Sequence, residues 1–587
     1  MMRRISSVRR DDDGVALILV IGICGVLAAL MVAAIAVSVG SLRAARNTQD
    51  WNGALAAAYA GIEEYQSRLA NDTGYFAFGN PASTFSHPDP AVPATVTLPT
   101  GASANAAFGI GTAGTWATVP GSGGSASYRY EVDNTKFGSD GTLRLRATGR
   151  VGAETRSILA DLKQQGFIDF LYFTDFEASD PTASNPTSTT NCAIYYPNSG
   201  WCGPIYFGSN DTISGPLHSN DAIHTNGAAH FEGKVTTMYD APGTGPNLVS
   251  ESTAPIFAIT GDPQNVGKIG MPATNAQLKK ETRSDLPVDV PAPGCLYTGP
   301  TSIVFNSGGT MTVISPWTKF TNTGNASDTA GTNPGKCGTP GATGLAKVSG
   351  SAYVGQTFAV PTNTVFYVQN VPSASSNVNS TPTSPSATKP PYTGAISCKS
   401  NGNSLGYPIT NEDIPFTNAY GCRNGDLFVK GTLVGKVTLA AENYIYVTGD
   451  VKYATGEDML GLIGNNAVWV WNPMDSSTPL LTPKNRRIDA AILSVAHTFI
   501  VQNYDKGTQN RGTLTVNGAI AQRFRGPVGT APKGATVMTT GYAKDYNYDE
   551  RFRYTAPPKF LSPVTTTYGV NIWIEISPVF DSTGAYR

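Results

Sequence analysis

Two hydrophobic patterns follow each other at the start of the chain. The first is a run of 28 uncharged residues from Val15 to Leu42, and about 20 apolar residues suffice for a helix to cross a bilayer. The second begins beyond Arg43, where apolar side chains recur at intervals of three and four, as on one face of a helix. Its members are Trp51, Leu55, Ala58, Ile62, Tyr65 and Leu69. Together the patterns predict one helix over 15–70, about 84 Å long at 1.5 Å per residue.

The residues before the apolar run predict its direction in a membrane. Basic flanks stay on the cytoplasmic side, and four arginines precede the run: Arg3, Arg4, Arg9 and Arg10. A removable secretory signal has an apolar core of only about 7 to 15 residues, which is shorter than this run. The sequence therefore predicts a single-pass membrane protein with a cytoplasmic N-terminus and its bulk outside the cell.

Beyond the helix the pattern changes to that of β-strands. The segments SYRYEVDN, GTLRLRATGRV and ETRSILADLK alternate polar and apolar residues and predict three antiparallel strands. From Phe167 to Pro563, short β-prone runs are separated by glycine and asparagine every few residues, which suits hairpins or the rungs of a β-solenoid. We find no fixed repeat length there. The predicted class is mainly β with a long N-terminal α-helix.

Composition agrees with this class and limits the partners. The 63 glycines and 40 prolines among 587 residues favour turns and short strands. A net charge of -1 and only 14% charged residues provide no basic surface for nucleic acid.

Six of the seven cysteines lie in the exported region, and Cys24 lies in the apolar run. An even set without a CxxC pair, outside the cytoplasm, predicts disulfides rather than a metal site. Six cysteines allow 15 connectivities. Proximity in sequence favours Cys192 with Cys202, Cys295 with Cys337, and Cys398 with Cys422.

The N-terminal segment resembles the type IV pilins and the pseudopilins of type II secretion. It carries a short leader ending in Gly14, an apolar helix opening GVALI, and an amphipathic continuation. The resemblance implies cleavage by a prepilin peptidase between Gly14 and Val15, methylation of Val15, and packing of the helix against other pilin-like subunits. Major pilins carry a glutamate at the fifth mature position, where this chain has Leu19, and that departure is typical of minor pilins. The residues Asp11, Asp12 and Asp13 also differ from the usual basic leader.

The resemblance and the composition together divide the chain into six expected segments. They are a leader (1–14), a transmembrane and amphipathic helix (15–72), a pilin-like β-meander (73–165), a β-rich region that suits a solenoid (166–320), a loop-rich insertion (321–395), and a solenoid-like region with a C-terminal cap (396–587). A pilin-like α+β start would thus be followed by a parallel β-helix head.

Three histidines at intervals of six are the candidates for metal binding. His218, His224 and His230 could share one strand face or stack on successive coils, and imidazole binds zinc and copper well. Glycines at 215 and 227 interrupt any single strand, however, and no acidic residue at fixed spacing would orient the rings. The sequence predicts neither a metal nor another cofactor.

Aromatic and acidic residues give two further candidates. The pairs Tyr444 and Tyr446, and Trp469 and Trp471, each share one face of a strand, and would form either a glycan-stacking platform or core. Paired carboxylates of a polysaccharide-active enzyme would be Asp545, Asp549 and Glu550, in a tail that reads more simply as a solvated cap.

The sequence therefore predicts a non-enzymatic minor pilin-like subunit of a type IV pilus or type II secretion-like filament. Its role would be structural, in assembly and in adhesion to a surface glycan. Its partners would be other pilin-like subunits, the prepilin peptidase and the membrane. The alternative is a signal-anchored extracellular carbohydrate-binding protein, or a polysaccharide-active enzyme on a β-helix.

Overall fold

A long helix and a five-stranded sheet form the first of two units in the computed structural model. The structure describes residues 13–87, 95–101, 104–111, 114–137, 142–164, 166–183, 192–198, 202–209, 211–381, 388–416, 419–482, 484–508, 510–532, 537–563 and 568–587. Unit 1 comprises Met1–Lys163 together with Tyr568–Arg587, and unit 2 comprises Gln164–Thr567. The chain thus leaves unit 1, builds unit 2, and returns to unit 1 for its last segment.

Unit 1 contains helix α1 (Asp13–Asn71). Strands are numbered along the chain, and those of unit 1 are β1 (Ala117–Thr118), β2 (Ala126–Asp133), β3 (Thr142–Val151), β4 (Glu154–Gln164) and β37 (Tyr568–Ile576). They lie in the order β1-β2-β3-β4-β37, with β1 to β4 antiparallel. The expected helix and three-stranded meander are therefore present, and a strand from the far end of the chain extends the sheet.

The second half of α1 packs on this sheet at unusually close range. A Cβ atom on Gly149 of β3 would lie 2.1 Å from the carbonyl oxygen of Ala54 and 2.3 Å from the amide nitrogen of Ala58. A Cβ on Gly61 would lie 2.9 Å from the ring of Tyr128 in β2. Glycine at these positions lets helix and sheet backbones meet where any side chain would hold them apart.

Unit 2 is a parallel β-helix. Its first strands are β5 (Tyr172–Ser179), β6 (Phe207–Gly208), β7 (Thr212–Ser214), β8 (Leu217–Ser219), β9 (Ile223–Asn226), β10 (His230–Phe231), β11 (Val235–Thr237), β12 (Leu248–Ser250), β13 (Ile256–Phe257) and β14 (Gln264–Asn265). The next are β15 (Cys295–Thr298), β16 (Thr301–Asn306), β17 (Thr310–Ile314), β18 (Asn322–Thr323), β19 (Gly331–Thr332), β20 (Val348–Ser349), β21 (Ala352–Tyr353), β22 (Gln356–Ala359), β23 (Thr364–Gln369), β24 (Leu427–Leu433), β25 (Lys436–Ala441) and β26 (Ile445–Tyr453). The last are β27 (Met459–Gly464), β28 (Val468–Val470), β29 (Met474–Asp475), β30 (Thr478–Pro479), β31 (Arg486–Ser494), β32 (Phe499–Val501), β33 (Thr513–Arg525), β34 (Gly529–Thr530), β35 (Thr540–Gly541) and β36 (Ala543–Tyr548).

The rungs of unit 2 form two arms that meet in the middle. The short arm is β6 to β14, which stacks as three coils of three strands. The long arm is β15 to β33, stacked through parallel ladders such as β23–β25–β27–β31–β33. Strands β5 and β36, the first and last of the unit, both pair with β33 on one side and with the short arm on the other. We call this rung the junction.

One apolar core runs through both arms. It includes Leu217 and Val235 of the short arm, Leu439 and Ile492 of the long arm, and Tyr546 of the junction. A solenoid buries the inward face of each coil on the next, which explains why short strands of two or three residues are stable here.

The structure differs from the sequence-based expectation in two of the six segments. Residues 321–395 include β23, a fully buried strand stacked between β15 and β25, so this stretch contributes a rung to the solenoid. Within 396–587, β36 is a rung of the junction and not a cap, and residues from Tyr568 onward belong to unit 1. Backbone pairing between residues far apart in sequence decides both points.

Candidate functional site

The first half of α1 presents an exposed apolar surface. Every described side chain from residue 16 to residue 49 is exposed, including Leu17, Ile18, Met31, Val37 and Leu42, each more than half accessible. The helix is long and apolar enough to cross a membrane. Exposed apolar surfaces of this kind are typical of membrane or protein interaction sites.

The expected processing site lies at the very start of this helix. Gly14 and Val15 fall in its first turn, since α1 begins at Asp13, and their side chains lie outside the described residues, as do residues 1–12. Leu19, at the position where major pilins carry a glutamate, is exposed on the helix surface.

The second half of α1 buries one stripe against the sheet of unit 1. Its buried members are Ala54, Ala57, Ala58, Ile62, Tyr65 and Leu69. Trp51, which the heptad-like spacing placed in this stripe, is instead 42% exposed, with the guanidinium of Arg156 lying 4.8 Å from its ring centroid. The small residues Ala54 and Ala57 form the stripe because Gly149 brings the strand too close for larger side chains.

Polar contacts fix the rotation of the helix on the sheet. The Tyr130 hydroxyl donates to a Glu64 carboxylate oxygen at 2.9 Å and accepts from Asn105 Nδ2 at 2.6 Å, while Glu64 also pairs with Arg68. Burial, with Glu64 close by, raises the pKa of Tyr130 well above its usual value. A helix held by this network cannot roll without leaving buried polar groups unpaired.

The three candidate metal-binding histidines are separated by the geometry of the short arm. Strand residues one coil apart differ by 18 in number, as in His230 against Thr212 and Thr236 against His218. An interval of six is one third of this coil, so His218, His224 and His230 lie on three different strands, β8, β9 and β10. Neither a shared strand face nor stacking on successive coils occurs.

Burial and bonding further distinguish these histidines. His218 is fully buried, with Nδ1 2.9 Å from Thr236 Oγ1 and Nε2 3.0 Å from Asn220 Oδ1. Burial lowers the pKa of His218 and of His224 to about 4, whereas His230 is exposed. Within the described ranges no group of three or more His, Cys, Asp or Glu is arranged to hold a metal ion.

The six exported cysteines form three disulfides, all within unit 2. They join Cys192 to Cys202, Cys295 to Cys337 and Cys398 to Cys422, which are the pairs that sequence proximity favoured. Cys24 is free and exposed on the apolar half of α1.

The aromatic candidates are core residues and not an exposed platform. Tyr446, Trp469 and Trp471 are buried, and Tyr444 is half-buried. They pack beneath the segment that carries Tyr407, for example with the Tyr407 and Trp471 ring centroids 5.4 Å apart. A covered face of this kind cannot stack against a glycan.

The acidic candidates are engaged in separate pairs. Asp549 forms an ion pair with Arg551, and Glu550 with Arg553. Asp545 accepts a hydrogen bond from Thr515 Oγ1 at 2.9 Å.

No family model and no curated protein matches the chain. Among solved structures, the chain is similar to the competence-associated pilin ComZ from Thermus thermophilus, with 10% identity and a TM-score of 0.26 over 90% of this chain and 97% of that one. A TM-score this low does not bear on the fold or the function of this chain.

Sequence reasoning missed two ion pairs at the junction, one buried and one half-buried. Arg525 of β33 pairs with Glu177 of β5 at 2.9 Å, both almost fully buried, and the Arg525 guanidinium lies 3.6 Å from the ring centroid of Phe207. Lys544 of β36 pairs with Asp211 at 2.9 Å, and burial lowers the pKa of Lys544. Alternating charged residues in a strand normally indicate a solvated face, so only the pairing of β5 and β36 with β33 could have located these pairs.

Proposed function

We propose that the chain is a minor pilin-like subunit of a type IV pilus or type II secretion-like filament, with a structural role in assembly and in adhesion. The observation that carries the proposal is the division of α1. Its first half is apolar and exposed, and its second half is anchored on an antiparallel sheet by close backbone packing. The helix thus has an apolar surface that lipid or other helices can cover, and its other half joins that surface firmly to a folded unit.

The apolar half suits both environments that such a subunit meets. With no charge between Val15 and Leu42, it can lie in a bilayer core about 30 Å thick. The same surface can pack against the helices of other pilin-like subunits in a filament. The arginines before it favour a cytoplasmic N-terminus, and three disulfides in unit 2 suit an oxidising compartment.

Two features support a minor position in the filament. Leu19 lacks the carboxylate that major pilins present to a neighbour's N-terminal amine. Unit 2, spanning Gln164–Thr567, is much larger than the unit that carries it and would crowd a filament built of this subunit alone.

The mature N-terminus tests the proposal. Mass spectrometry of protein from its native host, with and without the prepilin peptidase, should find an N-methylated Val15 only when the enzyme is present. Gly14→Val should block cleavage. Gly22→Ala is a matched control further along the helix, where an added Cβ meets nothing within 4 Å, and should leave cleavage intact.

An N-terminus at Met1 or Met2 in the presence of the peptidase would contradict the proposal. The chain would then be better described as a signal-anchored surface protein, and the search for its activity would move to unit 2.

A further inference from the structure

Three exposed aromatic side chains lie together at one edge of unit 1. Trp51 and Tyr59 of α1 are 42% and 38% exposed, and Trp573 of β37, the outermost strand at that edge, is 40% exposed. The ring centroids of Tyr59 and Trp573 are 4.8 Å apart. We call these three residues the aromatic strip. Tryptophan and tyrosine are enriched at protein interfaces relative to the rest of the surface.

A bidentate ion pair connects Trp51 to the rest of the aromatic strip. The guanidinium of Arg156 lies 4.8 Å from the Trp51 ring centroid, and its Nε and Nη2 each donate to a carboxylate oxygen of Glu575 at 2.6 Å. Glu575 is two residues from Trp573, so both side chains lie on the same face of β37. The pair holds the rings in place before any partner arrives, which lowers the entropic cost of binding.

The aromatic strip lies on the same continuous helix as the exposed apolar half of α1. At 1.5 Å per residue, Trp51 lies about 14 Å and Tyr59 about 26 Å beyond Leu42 along the helix axis. Trp573 is fixed beside Tyr59 by their ring contact. A partner that packs along the apolar half and continues in the same direction would therefore meet the strip.

Lipid cannot reach the whole strip when the apolar run lies in a bilayer. The headgroup region on each side of the hydrocarbon core is only about 5 to 8 Å thick. Arg43 and Arg46 are exposed, and the cost of burying a charge in lipid stops the helix from sinking deeper. Trp51 and Tyr59 then both lie beyond the headgroups, so only a protein can cover the strip.

We propose that the aromatic strip is the docking surface for the N-terminal helix of a different pilin-like subunit. This inference rests on the proposed function and identifies a surface for it. The partner helix would cover the apolar half of α1 and then pack aliphatic side chains against the three rings. A second copy of this chain fits less well, because unit 2, spanning Gln164–Thr567, would have to be accommodated twice in adjacent positions.

Photo-crosslinking of the full chain in its native host tests the inference. A photoreactive benzophenone side chain would replace Tyr59, and the crosslinked peptides would be identified by mass spectrometry. We expect the main adduct to be a peptide from the N-terminal helix of another pilin-like subunit.

The matched control is the same benzophenone placed at Tyr586, another exposed aromatic residue of unit 1. The Tyr586 hydroxyl donates to Glu131 at 2.6 Å. Glu131 neighbours Tyr130, which bonds to Glu64 of α1, and successive strand residues point to opposite faces. Tyr586 therefore lies on the far side of the sheet and should give at least tenfold less of the expected adduct.

Two variants locate the contact. With the benzophenone at position 59, Trp573→Ala and Trp51→Ala should each lower the yield of the adduct at least fivefold. Both side chains are exposed, so the fold of unit 1 should tolerate their removal, and either variant alone keeps the test meaningful. Tyr554→Ala, at an exposed aromatic residue of unit 2, should leave the yield unchanged.

Four results would overturn the inference: an adduct mainly with lipid, an adduct mainly with a second copy of this chain, equal yields from positions 59 and 586, or no adduct. The mature N-terminus separates these results from a failure of the proposed function. If the chain begins at methylated Val15 but gives no such adduct, the pilin-like role stands and the docking surface is wrong. An uncleaved N-terminus would contradict both.

Discussion

Protonation of His218 should destabilise unit 2 in mild acid. The ring is fully buried between Thr236 and Asn220. Burial lowers its pKa from 6.5 to about 4, against the opposing effects of the Asn220 hydrogen bond and the charge of Asp175. The folded state therefore binds fewer protons than the unfolded state between pH 6.5 and pH 4. Stability is complete above pH 6.5 and is lost as the pH falls through this window.

The size of the effect follows from the two pKa values. Each pKa unit corresponds to about 1.4 kcal/mol, so His218 alone should lower the free energy of unfolding by about 3 kcal/mol between pH 7.5 and pH 4. His224, whose pKa is also lowered to about 4 by burial and by the charge of Arg525, should add a similar amount.

Urea unfolding of the full chain in detergent, followed by tryptophan fluorescence at pH 7.5 and pH 4, would measure this loss. His218→Gln keeps a side chain that can both donate and accept but does not titrate. Its loss of stability between the two pH values should be about 3 kcal/mol smaller than that of the unaltered chain. His230→Gln, on an exposed side chain of the same arm, is the control. If His218→Gln and His230→Gln lose equal stability in acid, the reasoning from burial is refuted.

Three other sets of substitutions test the packing within the two units. Gly149→Ala should cost about 3 kcal/mol or more in the unfolding of unit 1, measured by thermal melting, because the new Cβ would overlap the helix backbone. Replacing Cys295 and Cys337 by alanine opens a loop of 42 residues and should lower the free energy of unfolding by about 4 kcal/mol in urea titration. Arg525→Met leaves Glu177 buried and unpaired and should cost about 3 to 5 kcal/mol; adding Glu177→Met should recover most of that loss.

The elements set by local pattern could be predicted from the sequence. The helix expected over 15–70 spans Asp13–Asn71, and the three alternating segments after it are β2, β3 and β4. Both follow from periodicity within a few residues. Trp51, the first residue of the expected helical stripe, is exposed and Leu55 is only half-buried, because the glycine that selects small residues, Gly149, lies in a strand far along the chain.

The elements set by distant pairing could not be predicted. The segment YGVNIWIEI alternates like a strand, but nothing local indicates that it joins the sheet of unit 1 as β37. The solenoid also lacks a visible repeat, because its coils differ in length. Leu427 pairs with Ile445 after 18 residues, whereas Gly461 pairs with Ala491 after 30, since loops are inserted at the corners.

A cavity on the long arm illustrates the same limit. Trp471 and Asn472 follow β28 on one coil, Arg511 precedes β33 on another, and they meet only because the coils stack. In the sequence, Arg511 is an ordinary polar residue beside a glycine, and the tryptophan pair suggested an exposed surface. A site assembled by stacking leaves no motif along the chain.

The junction imposes an order on the folding of unit 2. Glu177, in the first strand of unit 2, pairs with Arg525, which lies 348 residues later in the chain. The entropic cost of closing so long a loop must be met before this contact can stabilise the fold. A chain that becomes available in sequence order, from α1 onward, can therefore complete the pairing of β5 only after nearly all of unit 2 has followed. Until then its early coils present an unfilled edge. A truncation that removes β33 and β36 would therefore leave that edge of the solenoid permanently open.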